Sequence, residues 1–480
     1  MADDSDGRSL LDDEGRIFGL VNVIDVLVVL LVIAVVAAGA ALLLGGSSGE
    51  PDSRYATVDL GSQPGFVAEQ IEAGDAFEPE GTGDSLTITD VYRYDGVEGT
   101  NVVVRGRLNG TTMEPDDPAD DPVFQFRGQP VRIGQGMTIR TQDYEISGEL
   151  TQLQRSGETL PTENASFLVR TTVSESTADE VAAGDEYRVA GETVAEITGV
   201  QQFPADARNR SLLLSVSARA LDRGGSLHVG STPLRVGNGI SFSGTGYQLS
   251  GEILRRGTNG VDATDRPFLI ETTVDATVAD DISVGDQYRL GGSSLVSVET
   301  KTLYATDEPE ARRAILGVSV LTREVDGSVL FGDRELRVGQ SLPVETGEYE
   351  ISGEIIRRGT LEQAGEPTTR TASIAVENVR PAIADALVVG QTERVNGETT
   401  AEILTKESAP AEIILESEDG NIFLREHPRN LDVDLEAELS VRELDDGSLR
   451  FRGDSLRTGD TITLELGQVR VSGRVTAIGE

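Results

Sequence analysis

At 480 residues the chain is too long for one ordinary domain and has room for several of about 100–150 residues. Its net charge of −41 disfavours nucleic acid as a partner, because the only repeated basic pairs, Arg255-Arg256 and Arg357-Arg358, are surrounded by acid. The absence of cysteine excludes disulfides and thiolate zinc or iron–sulfur sites, and two histidines in unlike contexts, His228 and His427, leave almost no material for a metal cluster or a Ser-His-Asp triad.

In chain order, residues 1–20 form an acidic polar segment, and 21–44 are predicted to be a transmembrane helix. The 19 residues 26–44 carry no charge, amide or proline. As a helix at about 1.5 Å per residue they reach roughly 28 Å, close to the ~30 Å hydrocarbon core of a bilayer. The apolar run exceeds the 7–15 residues of a signal-peptide core and its leader is negative apart from Arg8 and Arg16, so an uncleaved signal-anchor is expected. Residues 45–55 read as a Gly/Ser linker. The match of 45–49 to G-x-S-x-G carries no catalytic meaning, since that motif needs a strand before it and a helix after it.

The rest is an internal repeat array, predicted as four β units over 56–160, 161–260, 261–365 and 366–480. One block recurs as FRGQPVRIGQGMTIRTQDYEISGEL at 126–150, HVGSTPLRVGNGISFSGTGYQLSGEI at 228–253, FGDRELRVGQSLPVETGEYEISGEI at 331–355 and FRGDSLRTGDTITLELGQVRVSGRV at 451–475. A second block, such as VADDISVGDQYRLGG from Val278, alternates with it and resembles it, so each unit reads as a pseudo-duplicated barrel. Apolar and polar residues alternate with period 2, as at Tyr349, Ile351, Gly353 and Ile355, and Gly-Asp, Asp-Gly and Gly-Gly pairs punctuate the runs. The expected class is mainly β: tandem small barrels or sandwiches of about eight short strands, with one short helix before each Gly-Asp turn, Pro381 opening the last. Glycine before the Asp or Gln supplies a positive φ, and Gly353 and its counterparts mark a bulge or close backbone approach.

Tyr144, Tyr247 and Tyr349 recur, with Val469 in the last unit; a core aromatic with its hydroxyl at the rim accounts for them. Acids at 117–122 and 432–438 lack the ligand spacing of an EF-hand loop and read as solvated surface. Asn109, Asn164 and Asn209 fit the N-x-S/T acceptor pattern and are candidate glycosylation sites if the units lie outside the cell. A folded, acidic chain with only two lysines, Lys301 and Lys406, resembles the proteins of salt-loving archaea. There, molar salt shortens the Debye length to ~3 Å and screens self-repulsion.

Asp12, Gly15, Arg16, Phe18, Gly19, Asn22 and Asp25 form a juxtamembrane box D-x-x-G-R-x-F-G-x-x-N-x-x-D. This box resembles the opening of an uncharacterised family, a domain of unknown function, of single-span membrane proteins from bacteria and haloarchaea. The family's soluble motifs resemble those at 384–390 and 336–355. The resemblance implies the anchor and no activity, and makes the box a candidate contact with another membrane or envelope protein. The expected function is that of a non-enzymatic, membrane-anchored β-repeat protein of the cell envelope, without cofactor or metal. Its N-terminus would be inside, its units outside, and its partners the lipid bilayer and another envelope protein. The alternative is an accessory, adaptor-like subunit of an export or transport complex; a surface-polymer hydrolase lacks a nucleophile.

Overall fold

The computed structural model describes residues 16–17, 21–22 and 49–479, apart from 80–82, 97–98, 115–120, 245, 259 and 417–421. Among the described residues no helix is long and apolar enough to cross a membrane; of the span expected over 21–44, Val21 and Asn22 are strand rather than helix, and residues 23–44 lie outside the described residues. The chain divides into two compact units, residues 1–165, 186–195 and 218–234 in one and 166–185, 196–217 and 235–480 in the other.

Four eight-stranded antiparallel sheets repeat one topology, and the third shows it fully. Its elements are β1 (Ala263–Asp275), α1 (Ala276–Asp281), β2 (Gln287–Leu290), β3 (Ser293–Ala305) and β4 (Ala311–Val325), followed by β5 (Ser328–Phe331), β6 (Arg334–Glu335), β7 (Ser341–Glu345) and β8 (Glu350–Arg358). The order is β2-β3-β4-β1-β8-β7, with the β5–β6 hairpin added to β4, and it recurs over 50–154, 162–256 and 366–478. The same labels apply to the matching elements there. The sheet curls until β2 meets β7. Alternation puts Phe268, Ile270, Val298, Val318, Val320, Leu342 and Ile351 inside, each at most 5% exposed. The one-turn helices Gly65–Gln70, Glu175–Glu180, Ala276–Asp281 and Pro381–Ala386 each bury one alanine against the curl, and Pro381 opens the last as expected.

The pseudo-duplication is visible in the hydrogen bonds. Each half of a repeat contains a turn in which glycine N–H donates to a strand carbonyl while that strand residue's N–H donates back to the residue after the glycine. In the third repeat the pairs are Gly285 with Val298 and Gly339 with Ile355, and six further copies complete the set. A bulge follows the strand residue, as between Val298 and Thr300 and after Ile355. These glycines take φ of +83° to +105°. The mid-strand glycines mark close approach: a Cβ on Gly353 would lie 2.7 Å from Ile270 Cδ1, and one on Gly473 2.5 Å from Ile374 Cγ2.

Candidate functional site

The recurring polar residues converge on two places in each repeat. The first is the seam of the curl. Asp75, Asp185 and Asp286 each accept a bond from the backbone N–H three residues earlier and from the hydroxyl of Tyr144, Tyr247 or Tyr349. Burial first, then the facing carboxylate, pushes all three tyrosines well above their ordinary pKa. In the fourth repeat both partners change together: Gln391 keeps the backbone bond, to Val388 N–H, and Val469 replaces the tyrosine. The rim hydroxyl expected from sequence is therefore one end of a latch.

The second place is the C-terminal end of the one-turn helix, where the last carbonyls lack the i+4 donors of a longer helix; in the fourth repeat Ala384 O also accepts from Leu387 N (3.2 Å). Arg93 donates to Ala68 O (2.9 Å) and Ile71 O (2.5 Å), Gln202 to Ala178 O (2.9 Å), and Lys301 to Ala279 O (2.8 Å) and Ile282 O (2.5 Å). Lys406 donates to Ala384 O and to Leu387 O (2.9 Å). The only two lysines of the chain thus perform one task.

Adjacent repeats are joined where the far end of one β3–β4 hairpin seats on the β5–β6 hairpin of the next. From the first repeat to the second, Tyr92 donates to Arg219 O (3.1 Å) and accepts from Gly230 N (2.9 Å), while Arg219 bridges Asp90 (2.9 Å) and Glu192 (3.0 Å). Tyr94 covers Gly230, where a Cβ would lie 3.2 Å from the ring. From the second to the third, Phe203 stands edge-on to Phe331 at 5.5 Å, and Arg170 and Ser211 both reach Asp333. From the third to the fourth, Arg313 pairs with Asp454 (2.9 Å) and Arg470 donates to Thr306 O (2.7 Å). A cleft of about 490 Å³ lies at this last junction, where Ala305, Thr306 and Arg313 face Phe451, Arg452 and Ile462.

Beneath that cleft, Glu393, 1% exposed, accepts from Arg452, from Thr400 and from Glu465 N (2.8 Å). Sequence reading missed this pair. The signal was present, since Glu393 stands where the second and third repeats have Tyr187 and Tyr288.

The residues singled out from sequence do not form one site. Arg16 pairs with Asn22 where the strand Arg16–Ile17 runs antiparallel to Val21–Asn22, and the box residues Asp12, Gly15, Phe18, Gly19 and Asp25 fall outside the described residues. Asn109 is held by Ser85 and Ser53, and Asn209 by Asp206, whereas Asn164 is exposed on β1 of the second repeat, Thr162–Ser174. Among the described residues no three His, Cys, Asp or Glu side chains are placed to hold a metal ion.

A family model for a domain of unknown function (DUF4330) matches residues 9–64. It covers the box, the apolar run, residues 45–49 and the whole of the first β1, Glu50–Gln63, so that residues 50–55 of the expected linker are strand. A search of curated proteins finds no match.

Proposed function

We propose that the chain is a membrane-anchored, non-enzymatic β-repeat protein of the cell envelope, held by residues 21–44, with its four repeats outside the cell as a scaffold in high salt. One observation carries this reading. The polar side chains that recur from repeat to repeat are bonded within the repeat, the aspartates to their own turns and tyrosines, and the Arg93, Gln202, Lys301 and Lys406 series to helix carbonyls, Arg93 also reaching Glu192 of the second repeat. What the repetition preserves is a framework and its junctions. The apolar run 26–44 and the five-residue Gly/Ser stretch behind it supply the tether. The single span ahead of a long C-terminal region supports an exterior location, since long domains translocate largely regardless of charge.

Protease added to intact cells should degrade the repeats while cytoplasmic markers survive; protection until lysis would end the exterior reading. Purification in mild detergent tests the role. A transporter recovered in stoichiometric amount would replace the scaffold with an accessory subunit of a transport assembly.

A further inference from the structure

In the second, third and fourth repeats the β5–β6 hairpin is covered by the repeat before it. The first repeat has the same hairpin, β5 (Val123–Phe126) and β6 (Gln129–Pro130), and residues 1–49 ahead of it carry no copy of the repeat. A cleft of about 260 Å³ opens there, lined by Phe126, Arg127, Gln129, Val131 and Met137. These align one by one with Phe451, Arg452, Asp454, Leu456 and Ile462, which line the junction cleft of the fourth repeat. The surface has the residues of a receiving face, and residues 1–49 contain no repeat to fill it.

Where the chain enters fixes what lies near it. Glu50, the first residue of β1 (Glu50–Gln63), pairs with Thr112, and Thr112 pairs on its other side with Phe124. Two strand spacings, about 10 Å, separate the start of the first sheet from the hairpin. Ahead of Glu50 only residues 45–49 intervene before the apolar run ends at Leu44. Five residues span at most about 17 Å, and a headgroup layer is itself about 5–7 Å deep. A span at 26–44 therefore tethers this face at the bilayer surface.

The chemistry of the face suits that position. Residues 123–141 contain Arg127, Arg132 and Arg140 and no acid, in a chain with 82 acids and 41 bases. Facing acids are Asp84, which accepts from Arg127 N, Glu145, paired with Arg140, and Glu149, opposite Gly136; Arg132 has no ion pair among the described residues. Ile133 is 67% exposed and Val123 38%. A second copy is a poor occupant. The positions that dock in the first repeat, Tyr92 and Tyr94, correspond in the fourth to exposed Glu407 and Ala409.

Resting on the anchored reading above, we infer that this face of the first repeat lies on the polar surface of the membrane, with Arg127 and Arg132 among anionic headgroups and Ile133 at their boundary.

The cysteine-free chain allows a direct test. Full-length Ile133→Cys and Val338→Cys, the latter a matching exposed turn in the third repeat, are labelled with a fluorophore and reconstituted into phosphatidylglycerol vesicles containing headgroup spin-labelled lipid. Lipid quenching at 133 should exceed that at 338 at least threefold, and Arg127→Glu with Arg132→Glu should bring it down to the 338 level. Equal quenching at both positions overturns the inference. So does a dye at 133 that becomes shielded without lipid quenching, which assigns the face to a protein. Flotation of the same vesicles after an alkaline wash separates the two readings. A chain that does not float refutes the anchor; a floating chain unquenched at 133 refutes only this docking.

Discussion

Lys406→Met removes an ammonium and keeps most of the apolar stem. At the end of the helix Pro381–Ala386, Leu387 O loses its charged donor and Ala384 O keeps only the bond from Leu387 N (3.2 Å). Hydrogen bonds from a charged group are worth about 1.5–3 kcal/mol each, and these carbonyls are half-screened by water, so the loss expected is about 2–3 kcal/mol rather than the full sum. Spread over a cooperative unit of 150–250 residues, that is a fall in melting temperature of roughly 5–10 °C. The assay is thermal denaturation followed by circular dichroism in 3 M KCl, with Arg357→Met, an exposed cation donating to Glu362 O, as control. High salt is the decisive condition. At a Debye length of ~3 Å or less a distributed charge effect largely disappears, whereas a bond made at contact persists. Lys406→Gln should recover little, because Gln202 reaches its carbonyl from five residues beyond the bulged strand residue Ile197, while Lys406 works from three beyond Ile403. A Met variant melting within about 1 °C of the parent in 3 M KCl would refute this reasoning.

The tyrosine latches give an alkaline limb. Their pKa is raised in the folded state, so their contribution is complete below the unfolded value near 10 and is lost as pH rises beyond it. Replacing Tyr144, Tyr247 and Tyr349 with Phe should flatten the fall in stability above pH 10, and an unchanged limb would place its origin elsewhere. Gly332→Ala should destabilise by about 1–3 kcal/mol, because φ is +61° and the new Cβ would lie 2.8 Å from Phe203 Cβ. With Phe203→Ala in the background the added loss should shrink; full additivity in urea titrations would show that the contact does not matter. Low salt should loosen the fourth repeat, where Glu407 stands directly opposite Asp434 and Glu402 opposite Glu438. Asp434→Asn should lower the KCl concentration at which the β spectrum is regained, and an unmoved midpoint would leave that pair without a role.

What the sequence made legible was whatever is local. Alternation set the faces of the strands, Gly285 and Gly339 announced a positive φ two positions into a turn, and Pro381 announced a helix start, because each follows from the conformation of one or two residues. The resemblance between the two blocks of a unit anticipated the shared turn-to-strand bonds. The sheet order was not legible. β1 pairs with β4 and β8, far from it in sequence, and a period of two says which face is buried but not which strand lies alongside.

The candidate site divides in the same way. Asp286 was read as a turn residue and Tyr349 as a rim aromatic, each correct alone, yet the bond between them crosses 63 residues and closes the curl. Its trace in the sequence is the fourth repeat, where both change at once to Gln391 and Val469. The substitution of Glu393 for a tyrosine makes sense only beside Arg452, which reaches it from a hairpin 59 residues on. Junction residues were the least visible. Tyr94 and Phe203 look like core aromatics in their own strands, and what marks them as docking groups is glycine at 230 and 332 in the following repeat, positions whose φ a turn already explains. A residue required for two reasons leaves one signal, and the local reason conceals the long-range one.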